Sequence, residues 1–163
     1  MYNLTDSLEQ ISTWKKQEKT IVFTNGCFDI LHVGHVDYLT EASKLGDELI
    51  VAVNSDDSVK RLEKGEERPV NSELNRVKLI SALECVSSAF IFDEDTPLEC
   101  LNQIKPDILV KGADYDSDET DENSKTYIVG SKEVRSFGGS VSTVELTEGF
   151  STTKLIEKIK KAY

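Results

Sequence analysis

Short apolar runs alternate with helix-period segments along almost the whole of this 163-residue chain, and that alternation limits the fold more than any other feature. Strand-like runs lie at 20–24, 48–53, 88–92, 107–110 and 140–146, and helical patterns at 5–18, 35–45, 55–64, 72–84, 97–104, 124–137 and 151–162. The runs Glu48-Leu49-Ile50-Val51-Ala52-Val53 and Asp107-Ile108-Leu109-Val110 are nearly continuous in apolar residues. Strands buried on both faces of a parallel sheet read this way, whereas a half-exposed strand alternates polar and apolar. The prediction is an α/β domain with a doubly wound parallel sheet of about five strands, helices on both faces and right-handed crossovers. No repeat or low-complexity linker divides the chain, so residues 1–163 read as one domain, long enough to bury roughly 70% of its unfolded surface.

Local punctuation supports the helix ends. Ser72 reads as an N-cap and Thr96-Pro97 places proline at a first helical position, while Gly46 and Gly138-Gly139 read as C-terminal stops. The formal net charge of −11 disfavours loose binding to nucleic acid or to an anionic membrane, both of which repel an acidic surface. It leaves room for a small polyanion, because a local cluster of cations outweighs distant charge across a screened distance. Much of the acid lies in Asp114-Tyr115-Asp116-Ser117-Asp118-Glu119-Thr120-Asp121-Glu122, which reads as a solvated loop without metal-ligand spacing.

No apolar run approaches the ~20 residues needed to span a bilayer. The opening Met1-Tyr2-Asn3-Leu4-Thr5-Asp6 lacks the basic and apolar regions of a signal peptide, so a cytoplasmic protein is expected. Cys27, Cys85 and Cys100 are odd in number and widely spaced, which argues against a disulfide framework or a structural zinc site. Cys27 lies near the histidines but no third group orients a Cys–His pair, so it reads as a small packed turn residue.

The chemistry concentrates in one place. His32 and His35, the only histidines, lie in His32-Val33-Gly34-His35, where the apolar run 20–24 passes through Asn25-Gly26-Cys27-Phe28-Asp29 into a helical pattern. A strand feeding a helix start binds phosphate readily, because orphan N–H groups and the positive helix end point at the ligand. Imidazoles at i and i+3 are expected on one helix face, and Gly34 between them removes a side chain where a nucleotide approaches. Neither G-x-x-x-x-G-K-[ST] nor G-x-G-x-x-G occurs, so any nucleotide site is built on this turn. Lys111 ends a buried strand at a glycine turn, at the sheet edge where α/β proteins bind ligands.

The segment Thr24-Asn25-Gly26-Cys27-Phe28-Asp29-Ile30-Leu31-His32-Val33-Gly34-His35 resembles the H-x-G-H signature of the cytidylyltransferase-like nucleotidyltransferases. Glu148-Gly149-Phe150-Ser151-Thr152-Thr153 resembles their second signature, at the start of the last helix. Between them the likeness runs through Leu45-Gly46-Asp47, Val53-Asn54-Ser55-Asp56, Arg68-Pro69-Val70-Asn71, Glu73 with Arg76, Asp95-Thr96-Pro97, and Pro106-Asp107 onward through Lys111-Gly112 to Asp114-Tyr115. The combination is most similar to the adenylyltransferase half of the ADP-heptose synthases and covers about residues 18–160.

The resemblance implies a Rossmann-like version of the sheet and transfer of AMP from ATP to D-glycero-D-manno-heptose 1-phosphate for lipopolysaccharide core synthesis. It also implies Mg²⁺ carried with ATP and no metal ligand from the protein. A homodimer is implied, with a separate heptose kinase in place of the kinase domain that precedes this one in many relatives. His32, His35, Lys44 and Lys111 would be catalytic. Thr24, Asn25, Gly26, Phe28, Gly34, His35, Arg76, Gly112, Ser151, Thr152 and Thr153 would hold the nucleotide, and Asp29, Asn54, Lys111 and Asp114 the acceptor. Two other readings stay open: a cytidylyltransferase for glycerol 3-phosphate or a similar small phosphate, and a non-catalytic nucleotide sensor.

Overall fold

The computed structural model describes residues 2–62, 65 and 67–162. Five parallel strands, β1 (Ile21–Gly26), β2 (Glu48–Asn54), β3 (Ser88–Phe92), β4 (Ile108–Gly112) and β5 (Ser140–Val144), form one sheet in the order β3-β2-β1-β4-β5. This is the doubly wound arrangement expected from the alternation. The helices are α1 (Leu4–Lys16), α2 (Val33–Ser43), α3 (Asp56–Arg61), α4 (Glu73–Ser81), α5 (Leu98–Ile104), α6 (Ser131–Ser136) and α7 (Thr152–Ala162).

Alternation along β1 divides the core into two layers. Ile21 and Phe23 point to one face, packing with Ile11 of α1, Leu101 and Ile104 of α5 and Val134 of α6. Val22 points to the other, with Tyr38, Leu39 and Ala42 of α2 and Val77 and Ile80 of α4. Residues 49–54 of β2 are all buried, as the continuous apolar run requires. None of the described helices is long and apolar enough to cross a membrane.

Several local expectations change. The helix expected over 124–137 is confined to Ser131–Ser136. Upstream of it, side chains compete with the helical ladder: Asp121 Oδ1 accepts from Asn123 N at 3.0 Å and Ser124 Oγ from Thr126 N at 3.3 Å. Gly130 then turns the chain with φ +95°. The helix expected over 55–64 spans Asp56–Arg61, and residues 63 and 64 lie outside the described set. Pro97 is itself the N-cap of α5, and Ser72 occupies the N-cap of α4 without a side-chain capping bond.

Gly46 is no left-handed cap, since Lys44 closes α2. A Cβ on Gly46 would stand 2.7 Å from Val22 Cγ2 and 2.9 Å from the Thr20 carbonyl, so close approach to β1 is what requires glycine there. Gly138, in contrast, has φ +88° and is the helix stop expected after α6.

A Cβ on Gly130 would overlap Leu101 Cδ1 in a left-handed backbone. Gly130→Ala should therefore destabilise the fold by about 1–3 kcal/mol, read as a lower urea midpoint with unchanged slope.

Candidate active site

Parallel pairing between β1 and β2 continues to Gly26 opposite Val53, but β1 and β4 pair only at Val22–Ile108 and Phe23–Leu109. Beyond Phe23 the two central strands part, at the point where strand order reverses. Side chains bridge the gap. The Tyr38 hydroxyl pairs with Thr24 Oγ1 at 2.7 Å and donates to the Val110 carbonyl at 3.1 Å. Burial pushes the Tyr38 phenol above its ordinary pKa, so it remains a protonated donor. Lys111 Nζ donates to Asn25 Oδ1 at 2.5 Å and to the Asn25 carbonyl at 3.1 Å. A cleft of about 650 Å³ opens above these bridges.

The turn after β1 forms the cleft floor. Phe28 adopts φ +48°, a conformation bulky residues rarely take. Its ring is buried, and a Cβ on Gly26 would sit 3.1 Å from it. The fully buried Arg76 locks the turn from behind. Its guanidinium donates to the Cys27 carbonyl at 2.6 Å, the Asn71 carbonyl at 3.0 Å and Asp56 Oδ1 at 2.8 Å. Asp29 locks it from the side, its carboxylate accepting from Arg68 Nε at 2.9 Å, Val70 N at 2.8 Å and Asn71 N at 3.0 Å.

His32 is the N-cap of α2, with extended φ −142°, and so stands outside the helix instead of sharing a helical face with His35. Its ring folds back over His35 with centroids 3.8 Å apart and planes 14° apart, and Phe28 meets His35 edge-on at 5.3 Å. Among the described residues neither imidazole's buried Nδ1 has a hydrogen-bond partner. Burial lowers the His35 pKa to about 4, with further contributions from neighbouring His32 and Arg68, and burial lowers that of His32 as well. Gly34 is needed because a Cβ there would stand 3.1 Å from Phe150 Cβ and 3.2 Å from His32 Nδ1, so protein atoms fill the space expected for a nucleotide. The loop carrying Phe150 is tied to α2 by Thr147 Oγ1 donating to Asp37 at 2.7 Å.

The structure brings Asn25, Gly26, Phe28, Asp29, His32, Gly34, His35, Asn54, Lys111, Gly112, Asp114 and Ser151–Thr153 to this cleft. It does not bring Lys44, Arg76 or Thr24. Lys44 ends α2, about 18 Å along the helix from its histidine end at 1.5 Å per residue, and pairs with Glu41 at 2.5 Å on the surface. Arg76 spends its guanidinium on the back of the turn, and Thr24 faces Tyr38. Asp29 borders the cleft with both carboxylate oxygens already accepting, which leaves it poorly suited to grip an acceptor.

Ser151 caps α7, accepting from Lys154 N at 3.1 Å, and Lys154 itself is exposed away from the cleft lining. Sequence reasoning missed Tyr38, Arg68, Asp95, Thr96 and Phe150. Arg68-Pro69-Val70-Asn71 and Asp95-Thr96-Pro97 carried the resemblance without a role, so the signal was present for those. Tyr38 is indistinguishable from a core aromatic in sequence. No group of three His, Cys, Asp or Glu side chains among the described residues is arranged to hold a metal.

Parallel order, a crevice at the strand-order reversal and a histidine pair at a helix start define a nucleotide-binding α/β domain. The cytidylyltransferase-like family profile matches residues 23–158, and the chain belongs to that family of nucleotidyltransferases. It is 53% identical over 152 residues to the bifunctional protein HldE of Campylobacter jejuni, covering 93% of this chain and 30% of that one. With HldE of Syntrophotalea carbinolica the identity is 48% over 161 residues, 98% of this chain and 31% of that one. The chain thus spans about 30% of the length of these curated relatives. A crystal structure of the lipopolysaccharide core biosynthesis protein from Thermoplasma volcanium matches with TM-score 0.59 and 32% identity, over 79% of this chain and 97% of that one.

Arg76→Met should cost about 3–5 kcal/mol in urea unfolding, since Asp56 and two carbonyls lose their donor. Asp56→Asn should cost less, its carboxylate being partly exposed. His35 generates a pH dependence of known sign. Its folded pKa lies below the ordinary 6.5, so the unfolded chain binds the proton more readily. Stability from this group is complete above about pH 6.5 and falls as pH drops toward 4, by on the order of 3 kcal/mol. The wild-type minus His35→Asn difference in unfolding free energy should shrink across that window, and a flat difference would refute it.

Proposed function

We propose that this domain transfers AMP from ATP to D-glycero-D-manno-heptose 1-phosphate, forming ADP-heptose and pyrophosphate in a cytoplasmic step of lipopolysaccharide core synthesis. The reading is supported by the identity to HldE proteins over nearly the whole chain, by the likeness to a lipopolysaccharide core biosynthesis protein, and by the sequence matches between the two end motifs. Homodimerisation and supply of the acceptor by a separate heptose kinase belong to the same reading.

The observation that carries the chemistry is the stacked His32–His35 pair at the start of α2, lining the cleft and held neutral by burial. The phosphate monoester of a sugar is largely dianionic at neutral pH and needs no base to become a nucleophile. The free carboxylate that a general base would need is missing at the turn, because Asp29 is fully engaged. What the reaction requires is two polyanions held in line and stabilisation of charge that moves onto the leaving group. An acceptor phosphate oxygen bonds to the α-phosphorus as the bond from that phosphorus to the bridging oxygen of pyrophosphate breaks.

In this scheme His32 and His35 donate to α-phosphate oxygens. Lys111 and the α7 start, with Ser151, Thr152 and Thr153, receive the β- and γ-phosphates. Asn25, Gly26, Phe28 and Gly112 shape the nucleotide bed, while Asn54 borders the acceptor. Thr24 and Arg76 act only through the turn they hold. Mg²⁺ arriving with the triphosphate would supply charge neutralisation.

Pyrophosphate release measured with each of four nucleoside triphosphates, against heptose 1-phosphate and glycerol 3-phosphate, tests the assignment. ATP with the heptose phosphate should be far the best pair. His35→Ala and His32→Ala should each lower kcat by about 10²–10³ with smaller changes in ATP binding. Efficient use of CTP with glycerol 3-phosphate, or near-normal turnover in both variants, would refute it.

A further inference from the structure

The cleft has two ends. Lys111, Gly112, Asp114 and the α7 start lie toward β4 and β5, whereas Asn54, Arg68, Asp95 and Thr96 lie toward β2 and β3, with the histidine turn between. Among the described lining residues, lysine and arginine occur once each, Lys111 at one end and Arg68 at the other. Two like cations at opposite ends suit two phosphorylated ligands meeting in the middle.

Arg68 is an unusual surface arginine. Its side chain is only 11% exposed, and it is paired with an Asp29 carboxylate that is fully buried. Asp29 Oδ2 accepts from Nε at 2.9 Å, while Oδ1 accepts from the backbone N–H groups of Val70 and Asn71. Asn71 Nδ2 returns a bond to the Asp29 carbonyl at 2.7 Å. The strap 68–71 is thus clamped to the nucleotide turn, and the guanidinium is aligned through Nε. Among the described residues its terminal nitrogens have no hydrogen-bond partner, leaving the planar fork that grips phosphate in two-point fashion.

Glu67, beside Arg68, is engaged by Lys160 at 2.8 Å, and the Arg68 charge disfavours protonation of His35. The guanidinium therefore lies within electrostatic reach of His35.

We propose that Arg68, oriented by Asp29, seats the phosphate of the acceptor. The assignment rests on the adenylyl-transfer reading for its direction. In-line displacement brings the nucleophile to the α-phosphorus from the side opposite the leaving pyrophosphate. With the β- and γ-phosphates at Lys111 and α7, the acceptor phosphate approaches from the Arg68 end. There Thr96 and Asp95, the latter fixed by Arg61 Nε at 2.6 Å, offer polar groups for sugar hydroxyls. Asp29 is then a positioning residue, not an acceptor ligand.

The test compares wild type with Arg68→Gln, Arg68→Lys and Asp29→Asn. Equilibrium binding of heptose 1-phosphate, and of inorganic phosphate as a minimal probe, is measured on protein saturated with a non-hydrolysable ATP analogue, alongside kinetics. Arg68→Gln should weaken both probes and raise the acceptor KM at least tenfold, with analogue affinity within about threefold of wild type. Arg68→Lys should recover part of the loss, and Asp29→Asn should show a partial loss of the same kind. A matching unfolding midpoint for Arg68→Lys keeps the comparison valid if Arg68→Gln folds poorly.

Loss of analogue affinity in place of probe affinity would reassign Arg68 to the triphosphate and overturn the proposal, as would unchanged probe binding or no saturable probe binding in wild type. If wild type binds the probes through Arg68 yet transfers no AMP, the phosphate seat stands and the transfer reading alone falls.

Discussion

Everything functional in this domain depends on the parting of β1 from β4. A parallel sheet is held by its ladder, and here the central ladder stops after two residue pairs while that between β1 and β2 runs on. Loss of ladder bonds in the middle of a sheet would leave buried carbonyls without donors, at a cost of about 1–3 kcal/mol each. Two side chains supply the missing donors. Tyr38 reaches the Val110 carbonyl from α2, and Lys111 reaches back from β4 to the Asn25 carbonyl. The crevice is held open by the residues that line it, so the scaffold and the ligand surface share the same atoms.

The turn beyond the crevice carries a strained Phe28 and needs support that local sequence does not provide. It comes from two guanidinium groups contributed by residues 39 or more positions away, Arg68 paired with Asp29 and Arg76 donating to the Cys27 carbonyl while paired with Asp56. Buried ion pairs stabilise little when desolvation is counted. Their contribution here is positional. Each fixes a backbone segment relative to the histidines, which a hydrophobic replacement of equal volume would not do.

The alternation of apolar runs and helical patterns made the strand order's class, the five strands and most helices legible, because burial on both faces leaves an unmistakable pattern in β2. The helix expected from 124 was misplaced because Asp121 and Ser124 divert the backbone into side-chain-bonded turns. At the site, residues on the β1 turn and at β4's end were legible from their position at the sheet edge. Lys44 and Arg76 were not: both lie near the motifs in sequence, but one ends a helix running away from the cleft and the other points behind the turn. Arg68 could not be assigned a role from sequence, since its role depends on a buried bond to a residue 39 positions earlier.

An acidic chain of net charge −11 that binds polyanions faces a long-range penalty which only local charge offsets. In the proposed reaction the lysine and arginine at the two cleft ends supply attraction in the ground state. The stacked imidazoles differ: their contact and burial disfavour protonation. A phosphate placed beside them shifts the balance toward the charged form, because an adjacent negative charge favours it. In the proposed reaction their electrostatic contribution grows with the charge in front of them. It is smallest before the nucleotide arrives and largest when the leaving group separates. That division of labour, permanent cations for binding and inducible ones for the step itself, concentrates stabilisation in the transition state, where it accelerates the reaction.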